Sequence, residues 1–251
     1  MRTTRVRLDQ LIVERGLAES RSRAQALLIG GRVRVGVGDG ARLDRKPGDL
    51  VEPSVPLEVA VPEPYVSRGG HKLAAGLDAF GVDPRGRTCL DVGASTGGFT
   101  DVLLQRGARH VYAVDVGRGQ LAEALRRDPR VTSMERTNAR NLTAESLPEA
   151  VTLAVVDVSF ISLRLVLGPM AATFRGQAGD LVALVKPQFE AGRGETHDGV
   201  IRDPAVHDRV LAEVQAAAVA LGFQLGSVIP SPILGPEGNR EFLLQLRLPP
   251  R

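Results

Sequence analysis

Several residue types are scarce or absent, and each scarcity excludes certain classes of protein. A single cysteine, Cys89, stands among 251 residues, so neither an intramolecular disulfide nor a cysteine-rich zinc site is available. No apolar run approaches the roughly 20 residues of a membrane helix, and the start MRTTRVRLDQ lacks the apolar core of a signal peptide. We therefore expect a cytoplasmic protein without a membrane partner, in which Cys89 is a buried structural thiol.

Lysine is also scarce. Of 32 basic residues, only Lys46, Lys72 and Lys186 are lysine, so arginine serves wherever a generic cation suffices. Arginine keeps its proton in a protein, whereas a crowded or desolvated lysine can release it. Chance retention explains Lys46 in a predicted surface turn, and it is the alternative for the other two. Because Lys186 closes an apolar strand and Lys72 precedes a predicted helix, both are candidate catalytic residues.

Basic charge is concentrated at the N-terminus. Residues 1–48 hold 11 Lys+Arg and 5 Asp+Glu, whereas the other 203 residues hold 21 and 24. Such a block favours an anionic partner such as a phosphate backbone, with a merely solvated face as the alternative. The arginines lie in a folded pattern: helices RLDQLIVERG and SRSRAQALLIGG, the second capped by Ser20, and strands RVRVGV and LVEP. This pattern predicts a small α+β unit, followed by the proline-rich connection PSVPLEVAVPEPYV.

The N-terminal segment resembles the alpha-L RNA-binding domain, which occurs in a ribosomal small-subunit protein and in several RNA-modifying enzymes. The resemblance rests on RLDQLIVERGLAESRSRAQALLIGGRVRV and the later KPGDLV. It implies an RNA-binding domain at residues 1–60, followed by a linker at 61–66. Contacts to phosphates rather than bases are expected from Arg5, Arg21, Arg23, Arg32 and Arg34.

From residue 70 onward, helices alternate with apolar strands. This alternation predicts an α/β domain at residues 67–251, with a Rossmann-like, doubly wound parallel sheet. The predicted helices are HKLAAGLDAF, DVLLQRG, GQLAEALRR and DPAVHDRVLAEVQAAAVALG, and the strands lie in TCLDV, HVYAVDV, TLAVVDVSF and DLVALV. Two last strands, near FQLGSVIP and EFLLQLRL, could form an antiparallel edge. Ligands of such sheets bind beyond the carboxyl ends of the strands.

A glycine-rich turn, DVGASTGGFT, follows the first of these strands. Gly93, Gly97 and Gly98 would let the backbone approach a ligand, and Asp115 ends the next strand, where a carboxylate can bind a ribose diol. Either feature alone is weak evidence, since an Asp after a strand is more often a cap. Together they predict a nucleoside site. The spacing G-A-S-T-G-G differs from the G-x-G-x-x-G of NAD sites and favours S-adenosylmethionine.

Nearly the whole chain resembles the TlyA family of ribosomal RNA 2′-O-methyltransferases, sometimes labelled hemolysins, whose catalytic half is FtsJ-like. The motifs that carry the resemblance are SRGGHKL, DVGASTGGFT, AVDVGRGQL, TNARNL, DVSFISL, LVKPQFE and GNREF. The Lys-Asp-Lys-Glu tetrad of the FtsJ-like pattern falls on Lys72, Asp157, Lys186 and Glu241. In the linker, Tyr65 stands where the family has an aromatic residue, but the arginine that often precedes it is missing.

The resemblance implies S-adenosylmethionine as cofactor and a cytidine of ribosomal RNA as substrate. Assembled ribosomal subunits are the expected form of that substrate, because a basic domain tethered to a near-neutral one suits structured RNA. The cofactor contacts that the motifs imply are Gly93, Ser95, Gly97, Phe99 and Thr100 at the methionine portion, Asp115 at the ribose, and Asn138 and Ala139 near adenine.

Methyl transfer to a ribose 2′-hydroxyl requires a poor nucleophile to be aligned and deprotonated. The attacking oxygen must lie about 3 Å from the methyl group, so alignment should contribute more than proton removal. Lys186 is expected to accept the proton or to orient the hydroxyl, with Lys72, Asp157 and Glu241 around it. No metal is needed for this step.

Three further residues or segments have two interpretations each. Phe160 and Phe189 follow catalytic strand ends, where they could stack on a flipped base, although core packing is the commoner role of Phe. Residues 190–203 form a glycine-rich stretch that is either a substrate gate or a plain surface connection.

Two other functional classes are disfavoured by the sequence. A pseudouridine synthase can carry the same N-terminal domain, and its catalytic Asp would correspond to Asp44 in ARLDR; that interpretation leaves the glycine-rich turn without a purpose. A pore-forming hemolysin would need an insertable membrane segment, which the sequence lacks.

Overall fold

The protein divides into two compact units. The computed structural model describes residues 5–60, 63–192, 194–196 and 198–250, and the units are Met1–Pro64 and Tyr65–Arg251. The division falls inside the predicted linker at 61–66, of which residues 61 and 62 lie outside the described residues. The domain limits at residues 60 and 67 stay predictions.

The N-terminal unit consists of two helices and two small antiparallel sheets, in which β1 pairs with β3 and β2 with β4. Ser20 caps the second helix, because its Oγ accepts a hydrogen bond from the Arg23 amide, as predicted. Leu8, Leu11 and Ile12 are buried at the predicted helical spacing. The elements are β1 (Val6–Arg7), α1 (Leu8–Glu14), α2 (Arg21–Ile29), β2 (Val33–Val35), a 3-10 turn (Gly38–Gly40), β3 (Leu50–Val51) and β4 (Leu57–Val59).

A buried carboxylate holds the two helices of this unit together. The Asp9 side chain is fully buried on α1 and accepts hydrogen bonds from Arg7 at 3.0 Å, Arg21 at 3.2 Å and Gln25 at 2.9 Å. The Arg7 guanidinium, with Gln25 and Arg21, holds the pKa of Asp9 well below its usual range against the opposing effect of burial. Asp9 is therefore a satisfied structural charge.

The C-terminal unit has a seven-stranded sheet in the order β10-β11-β9-β8-β5-β6-β7, with helices on both faces. All neighbours are parallel except β11, which is antiparallel to both β9 and β10, so the predicted antiparallel edge is confirmed. The strands are β5 (Thr88–Val92), β6 (His110–Val114), β7 (Val131–Met134), β8 (Leu153–Val156), β9 (Gly179–Val185), β10 (Gln224–Pro230) and β11 (Phe242–Leu248).

The helices of this unit are α3 (Gly69–Phe80), α4 (Gly98–Gln105), α5 (Glu123–Arg126), α6 (Leu167–Ala172), α7 (Pro187–Glu190) and α8 (Pro204–Ala220). Short 3-10 helices lie at Ala139–Asn141, Ala144–Ser146 and Leu163–Leu165. The predicted α/β fold class, a Rossmann-like doubly wound sheet preceded by a small α+β unit, is confirmed.

Two apolar cores cover the two faces of the sheet. Leu90 and Val92 of β5 point into the core under α6 and α8, whereas Cys89 points into the core under α3 and α4. Burial on both faces explains the continuous apolar runs of the central strands. Cys89 is fully buried, as predicted, and burial raises the pKa of its thiol to about 12.

Two elements differ from the sequence prediction. Strand β7 was not predicted, because Val131–Met134 is a half-exposed edge strand without an apolar run. The helix predicted over 119–127 is reduced to α5, because Gly119 has a φ of 66° and the Ala122 amide donates to the Thr96 carbonyl of the glycine-rich turn. The preceding segment therefore packs under that turn and does not coil into the helix.

Candidate active site

A cavity of about 870 Å³ lies at the edge of the large sheet where polar residues follow the strand ends. Gly93 follows β5, Asp157 follows β8 and Lys186 follows β9, so all three leave parallel strands at the same edge. Glu241 precedes β11, which runs antiparallel to β9, and it therefore reaches that edge from the opposite chain direction. Lys72 is added from the first turn of α3.

The predicted tetrad is assembled around this cavity as two separate ion pairs. Lys72 Nζ lies 2.5 Å from Glu241 Oε2, and both side chains are nearly inaccessible to solvent. Lys186 Nζ lies 2.6 Å from Asp157 Oδ1 and also donates to Ser159 Oγ at 2.8 Å. Each lysine therefore has a carboxylate partner of its own, an arrangement that the sequence did not predict.

The glycine-rich turn after β5 packs directly against the residue that follows β8, Asp157. Gly93 has a φ of 83°, and a Cβ at this position would overlap the Asp157 carbonyl oxygen. Gly97 has a φ of 98°, and a Cβ there would overlap the Leu125 side chain. Gly93 lines the cavity together with Ser95 and Phe99, whereas Gly97 shapes the turn from behind.

Asp115 organises the same turn. One of its carboxylate oxygens accepts the Ser95 amide at 2.8 Å, and the other accepts the Gly117 amide at 2.7 Å. Asp115 lines a narrow pocket beside Ser95, separate from the main cavity. A carboxylate has lone pairs beyond the two used here, so a ribose hydroxyl can still donate to it.

Besides Gly97 and Asp115, three further predicted cofactor residues do not line the main cavity. Thr100 is fully buried, and its hydroxyl donates to Asp91 at 2.6 Å. Asn138 uses its side-chain oxygen to cap the Ala139–Asn141 turn by accepting the Arg140 amide at 3.1 Å. Ala139 packs into the core. Their contacts with a cofactor stay predictions.

A buried carboxylate lies under the glycine-rich turn. Asp91 is the fourth residue of β5 and is fully buried, with Thr100 as the hydrogen-bond donor to one oxygen. Its other oxygen has no hydrogen-bond partner among the described residues. Burial, reinforced by Asp157 and Asp115, raises the pKa of Asp91 to about 7 even though Thr100 opposes the shift.

Two aromatic rings stand at the mouth of the cavity. Phe160 is 90% exposed and has a φ of 63°, an uncommon backbone conformation for Phe. Its ring centre lies 4.9 Å from that of Phe189, and both line the cavity. Core packing is therefore excluded for Phe160.

Glu190 joins the loop that carries Phe160 to the helix α7 that carries Phe189. It is buried, its carboxylate accepts hydrogen bonds from the Ser162 hydroxyl at 2.5 Å and the Leu163 amide at 2.6 Å, and Arg164 lies 3.6 Å away. Burial raises the pKa of Glu190 against these donors. The loop after β8 is thus fastened to α7, which follows β9.

Sequence reasoning missed several cavity residues. Ser159 and Gln188 each stand two residues after a tetrad member, and Asn239 stands two residues before Glu241, so proximity to the motifs was the available signal. Gln188 Oε1 and Glu241 Oε1 are buried and have no hydrogen-bond partner in the described ranges. Unsatisfied acceptors in a cavity wall are typical of a site that receives a polar ligand.

The cavity fits the cofactor that the sequence suggested. Its volume is within the usual range for small-molecule sites, and the glycine-rich turn leaves room that side chains would fill. Asp115 supplies an acceptor for a diol beside the same turn. No group of three or more His, Cys, Asp or Glu within the described ranges is placed to hold a metal ion.

The predicted RNA-contacting arginines are all exposed on the N-terminal unit. Arg5 pairs with Glu52 and Arg21 with Asp9. The side chains of the remaining three have no ion pair or hydrogen bond within the part of the chain described: Arg23, Arg32 and Arg34. Asp44, the alternative catalytic residue, is exposed and pairs with Arg42 at 2.7 Å.

Comparison with known proteins supports the predicted family and fold. The S4 domain family matches residues 6–36, and the family described as FtsJ-like methyltransferase matches residues 65–248. The fold and the cavity thus define an FtsJ-like methyltransferase joined to an S4 domain. At 48% identity over 246 residues, the chain matches the 16S/23S rRNA (cytidine-2'-O)-methyltransferase TlyA of Mycobacterium tuberculosis, with 97% of this chain and 90% of that protein covered. The chain belongs to the TlyA family of FtsJ-like methyltransferases.

Two further relatives extend this similarity. The Bacillus subtilis protein YqxC is 47% identical over 255 residues, which cover 99% of this chain and 88% of that protein. A solved structure from Streptococcus thermophilus that carries a hemolysin label is 43% identical, with a TM-score of 0.73 and coverage of 98% and 90%. None of the described helices is long and apolar enough to cross a membrane.

Proposed function

We propose that this methyltransferase transfers the methyl group of S-adenosylmethionine to the ribose 2′-hydroxyl of a cytidine in ribosomal RNA. The observation that carries the proposal is the presence of both lysine–carboxylate pairs in the wall of one cavity, beside the glycine-rich turn. The names of the close relatives support the choice of a cytidine ribose.

The cofactor would be held by the turn after β5. Gly93, Ser95 and Phe99 line the cavity, and Asp115 offers acceptors for a ribose diol next to them. When bound, S-adenosylmethionine supplies an electrophilic methyl group. Thr100 and Gly97 act from behind the wall, and Asn138 and Ala139 are assigned to the adenine side only through the motif.

The reacting hydroxyl would be handled by Lys186. Asp157 and Ser159 hold the Lys186 amino group through two short contacts, so the direction of the third position on its nitrogen, a hydrogen or a lone pair, is fixed. Lys186 is assigned to orient the hydroxyl and, in its neutral amine form, to accept the proton that the hydroxyl releases. Lys72 with Glu241 forms the opposing wall. The pairing favours alignment as the main contribution, because both lysines are held in place before substrate arrives.

Phe160 and Phe189 would receive the base of the target nucleotide. A ring that is 90% exposed at a cavity mouth offers a stacking surface, and stacking is the usual means of holding a nucleotide turned out of its helix. The Glu190 contacts keep the loop of Phe160 and the helix α7 of Phe189 together.

The N-terminal arginines would bind phosphates of structured RNA, and we propose assembled ribosomal subunits as the substrate. Arg23, Arg32 and Arg34 are free to do so within the described structure, whereas Arg5 and Arg21 must share their charge with Glu52 and Asp9. A ribosomal substrate also implies a cytoplasmic location.

The test incubates the protein and labelled cofactor with unmodified large and small ribosomal subunits, followed by alkaline digestion of the RNA. A 2′-O-methyl group blocks cleavage at its own linkage, so label is expected in an alkali-resistant dinucleotide that begins with cytidine. Lys46→Arg is the matched control and should keep full activity. Label in single nucleotides would mean base methylation and would refute the proposal.

A further inference from the structure

A second cavity, of about 410 Å³, lies next to the active-site cavity in the C-terminal unit. Arg202, His207 and Arg240 contribute to its wall, and Glu237 lines both cavities. We call it the arginine pocket, defined by Arg202, His207, Glu237 and Arg240. The reaction described above leaves it without a role.

The two arginines of this pocket differ from most arginines of the same unit. Arg87, Arg106 and Arg209 are each held by a carboxylate within 2.8 Å. Arg202 and Arg240 are exposed, and neither makes an ion pair or a side-chain hydrogen bond in the ranges that the structure describes. Two unneutralised guanidinium groups in one cavity favour an anionic ligand, because each such group repels the other until an anion binds.

The wall of the pocket is built on buried polar contacts. Asn239 is nearly inaccessible to solvent; its Oδ1 accepts the Ile201 amide at 3.0 Å, and its Nδ2 donates to the Gly199 carbonyl at 2.8 Å. His207 is buried as well, and its Nε2 lies 3.1 Å from the Ile201 carbonyl oxygen. These contacts fix the segments that carry Arg202 and Arg240 relative to each other.

The same segment joins the pocket to the catalytic residues. Arg240 directly precedes Glu241, and the two side chains diverge: Glu241 is buried in the active-site cavity, whereas Arg240 is exposed in the arginine pocket. Asn239 lines the active-site cavity while it holds the wall of the pocket. The two cavities share Glu237 in their walls, so a ligand that engages Glu241 and its neighbours lies next to the arginine pocket.

We propose that the arginine pocket binds a backbone phosphate of the RNA strand that carries the target ribose. This inference rests on the proposed function, which places a ribose at the tetrad. A ribose within a strand has phosphates on both sides, and a guanidinium group matches a phosphate with paired N–H donors. The charged side chains of the pocket are Arg202, Arg240 and Glu237, so one net positive charge remains for the phosphate.

The proposal assigns opposite effects to residues of one pocket. Arg202 and Arg240 attract the phosphate, so Arg202→Gln and Arg240→Gln should each raise the KM for ribosomal RNA about three- to tenfold. Glu237 repels it, so Glu237→Gln should lower that KM. The kcat of the arginine variants and their affinity for S-adenosylmethionine should stay within about twofold of the starting protein, since neither arginine lines the active-site cavity.

The experiment measures methyl transfer to ribosomal subunits across a series of salt concentrations, with cofactor binding followed by calorimetry. Removal of one guanidinium–phosphate interaction should reduce the slope of log KM against log salt by about 0.7. Arg85→Gln is the matched control, because Arg85 is exposed and precedes β5, at the end of the sheet opposite the cavity; its KM and slope should not change.

The outcomes separate the two proposals. An unaltered protein that transfers no methyl group to ribosomal RNA refutes the proposed function itself. If that protein is active but the Arg202→Gln, Arg240→Gln double variant keeps its KM and salt slope, only the phosphate pocket is overturned. A loss of cofactor affinity in the double variant, or a fall in kcat at constant KM, also overturns it, because the pocket would then serve the cofactor or the chemistry.

Discussion

The two units of the protein each bury an aspartate, but with different numbers of partners. Asp9 in the N-terminal unit accepts hydrogen bonds from two arginines and a glutamine, and these hold its pKa well below the usual range. Asp91 in the C-terminal unit is also inaccessible to solvent but lies in the central strand β5 with the Thr100 hydroxyl as donor, and burial raises its pKa to about 7. Hydrogen-bond donors therefore set the direction of the pKa shift of Asp9, whereas burial sets that of Asp91.

The ionic groups of the two units also differ in whether they can still interact with a ligand. The charge of Asp9 is fully satisfied within the fold, so it can only stabilise that fold. The carboxylates of the active-site cavity have one lysine each, and Glu241 keeps an acceptor atom without a partner among the described residues. Incomplete satisfaction leaves these groups able to interact with a ligand.

The largest effect is expected from Lys186→Arg. Arginine keeps the positive charge beside Asp157 but cannot accept a proton, so methyl transfer should fall about 100-fold or more. Thermal unfolding and cofactor affinity should be nearly unchanged. Lys72→Arg should behave in the same way. Steady-state assays on ribosomal subunits check this, and full activity of either variant would remove that lysine from the chemistry.

Asp9→Ala should have the reverse effect of the lysine variants: it should lower stability. Loss of a buried carboxylate with three donors should destabilise the N-terminal unit by about 1.5–3 kcal/mol, while cofactor binding by the other unit is kept. Glu14→Ala, an exposed carboxylate on the same helix, is the control and should be near neutral. Hydrogen exchange of α1 and α2 measures the change; equal protection in both variants would contradict the role given to Asp9.

A smaller effect is expected for Asp115→Ala. The change removes the acceptor for a ribose diol and frees the Ser95 and Gly117 amides, so affinity for S-adenosylmethionine should fall about tenfold. Calorimetry measures the affinity. Asp128→Ala, which removes a surface partner of Arg130, should leave it unchanged. If both variants bind equally, Asp115 does not belong to the cofactor site.

The smallest effect concerns pH and tests the contrast between the two aspartates directly. The pKa of Asp91 is raised from an unfolded value of about 3.9, so its proton is lost from the unfolded chain first, and stability falls as the pH rises from about 4 to 7. Relative to the starting protein, Asp91→Asn should therefore raise the Tm more at pH 8 than at pH 5.

Asp9 should show the opposite dependence. Because its pKa is lowered, its contribution to stability is present above about pH 4 and is lost only as the pH falls further. The Tm difference between Asp9→Ala and the starting protein should thus stay constant from pH 5 to 8. A parallel pH response of the two variants would contradict the comparison.

The sequence predicts the central part of the fold because doubly buried strands are continuous apolar runs. Strand β7 was not predicted because it is an edge strand without an apolar run, with Thr132 and Ser133 exposed. The helix near residue 120 was overestimated, because packing under the glycine-rich turn overrides the helical periodicity of GQLAEALRR. Both errors arise from tertiary context that a local pattern does not contain.

For the site, residue types at strand ends were predictable, but their partners were not. Lys72 and Glu241 are separated by 169 positions, and their pairing depends on β11 running antiparallel to β9. The arginine pocket depends in the same way on Asn239 joining two distant segments. The Phe160 ring is exposed at the cavity mouth, contrary to the commoner core role, and its positive φ is a backbone feature that a local sequence pattern does not reveal.

The burial of Cys89 has a practical consequence. Cys89 lies between the sheet and its covering helices, and burial raises the pKa of its thiol, so maleimide or iodoacetamide reagents should not reach it in the folded protein. The chain therefore behaves toward such reagents as if it were free of cysteine. Two cysteines introduced at exposed positions, one in each unit, would be modified while Cys89 is not, which allows paired fluorescent dyes to report the distance between the units as RNA binds.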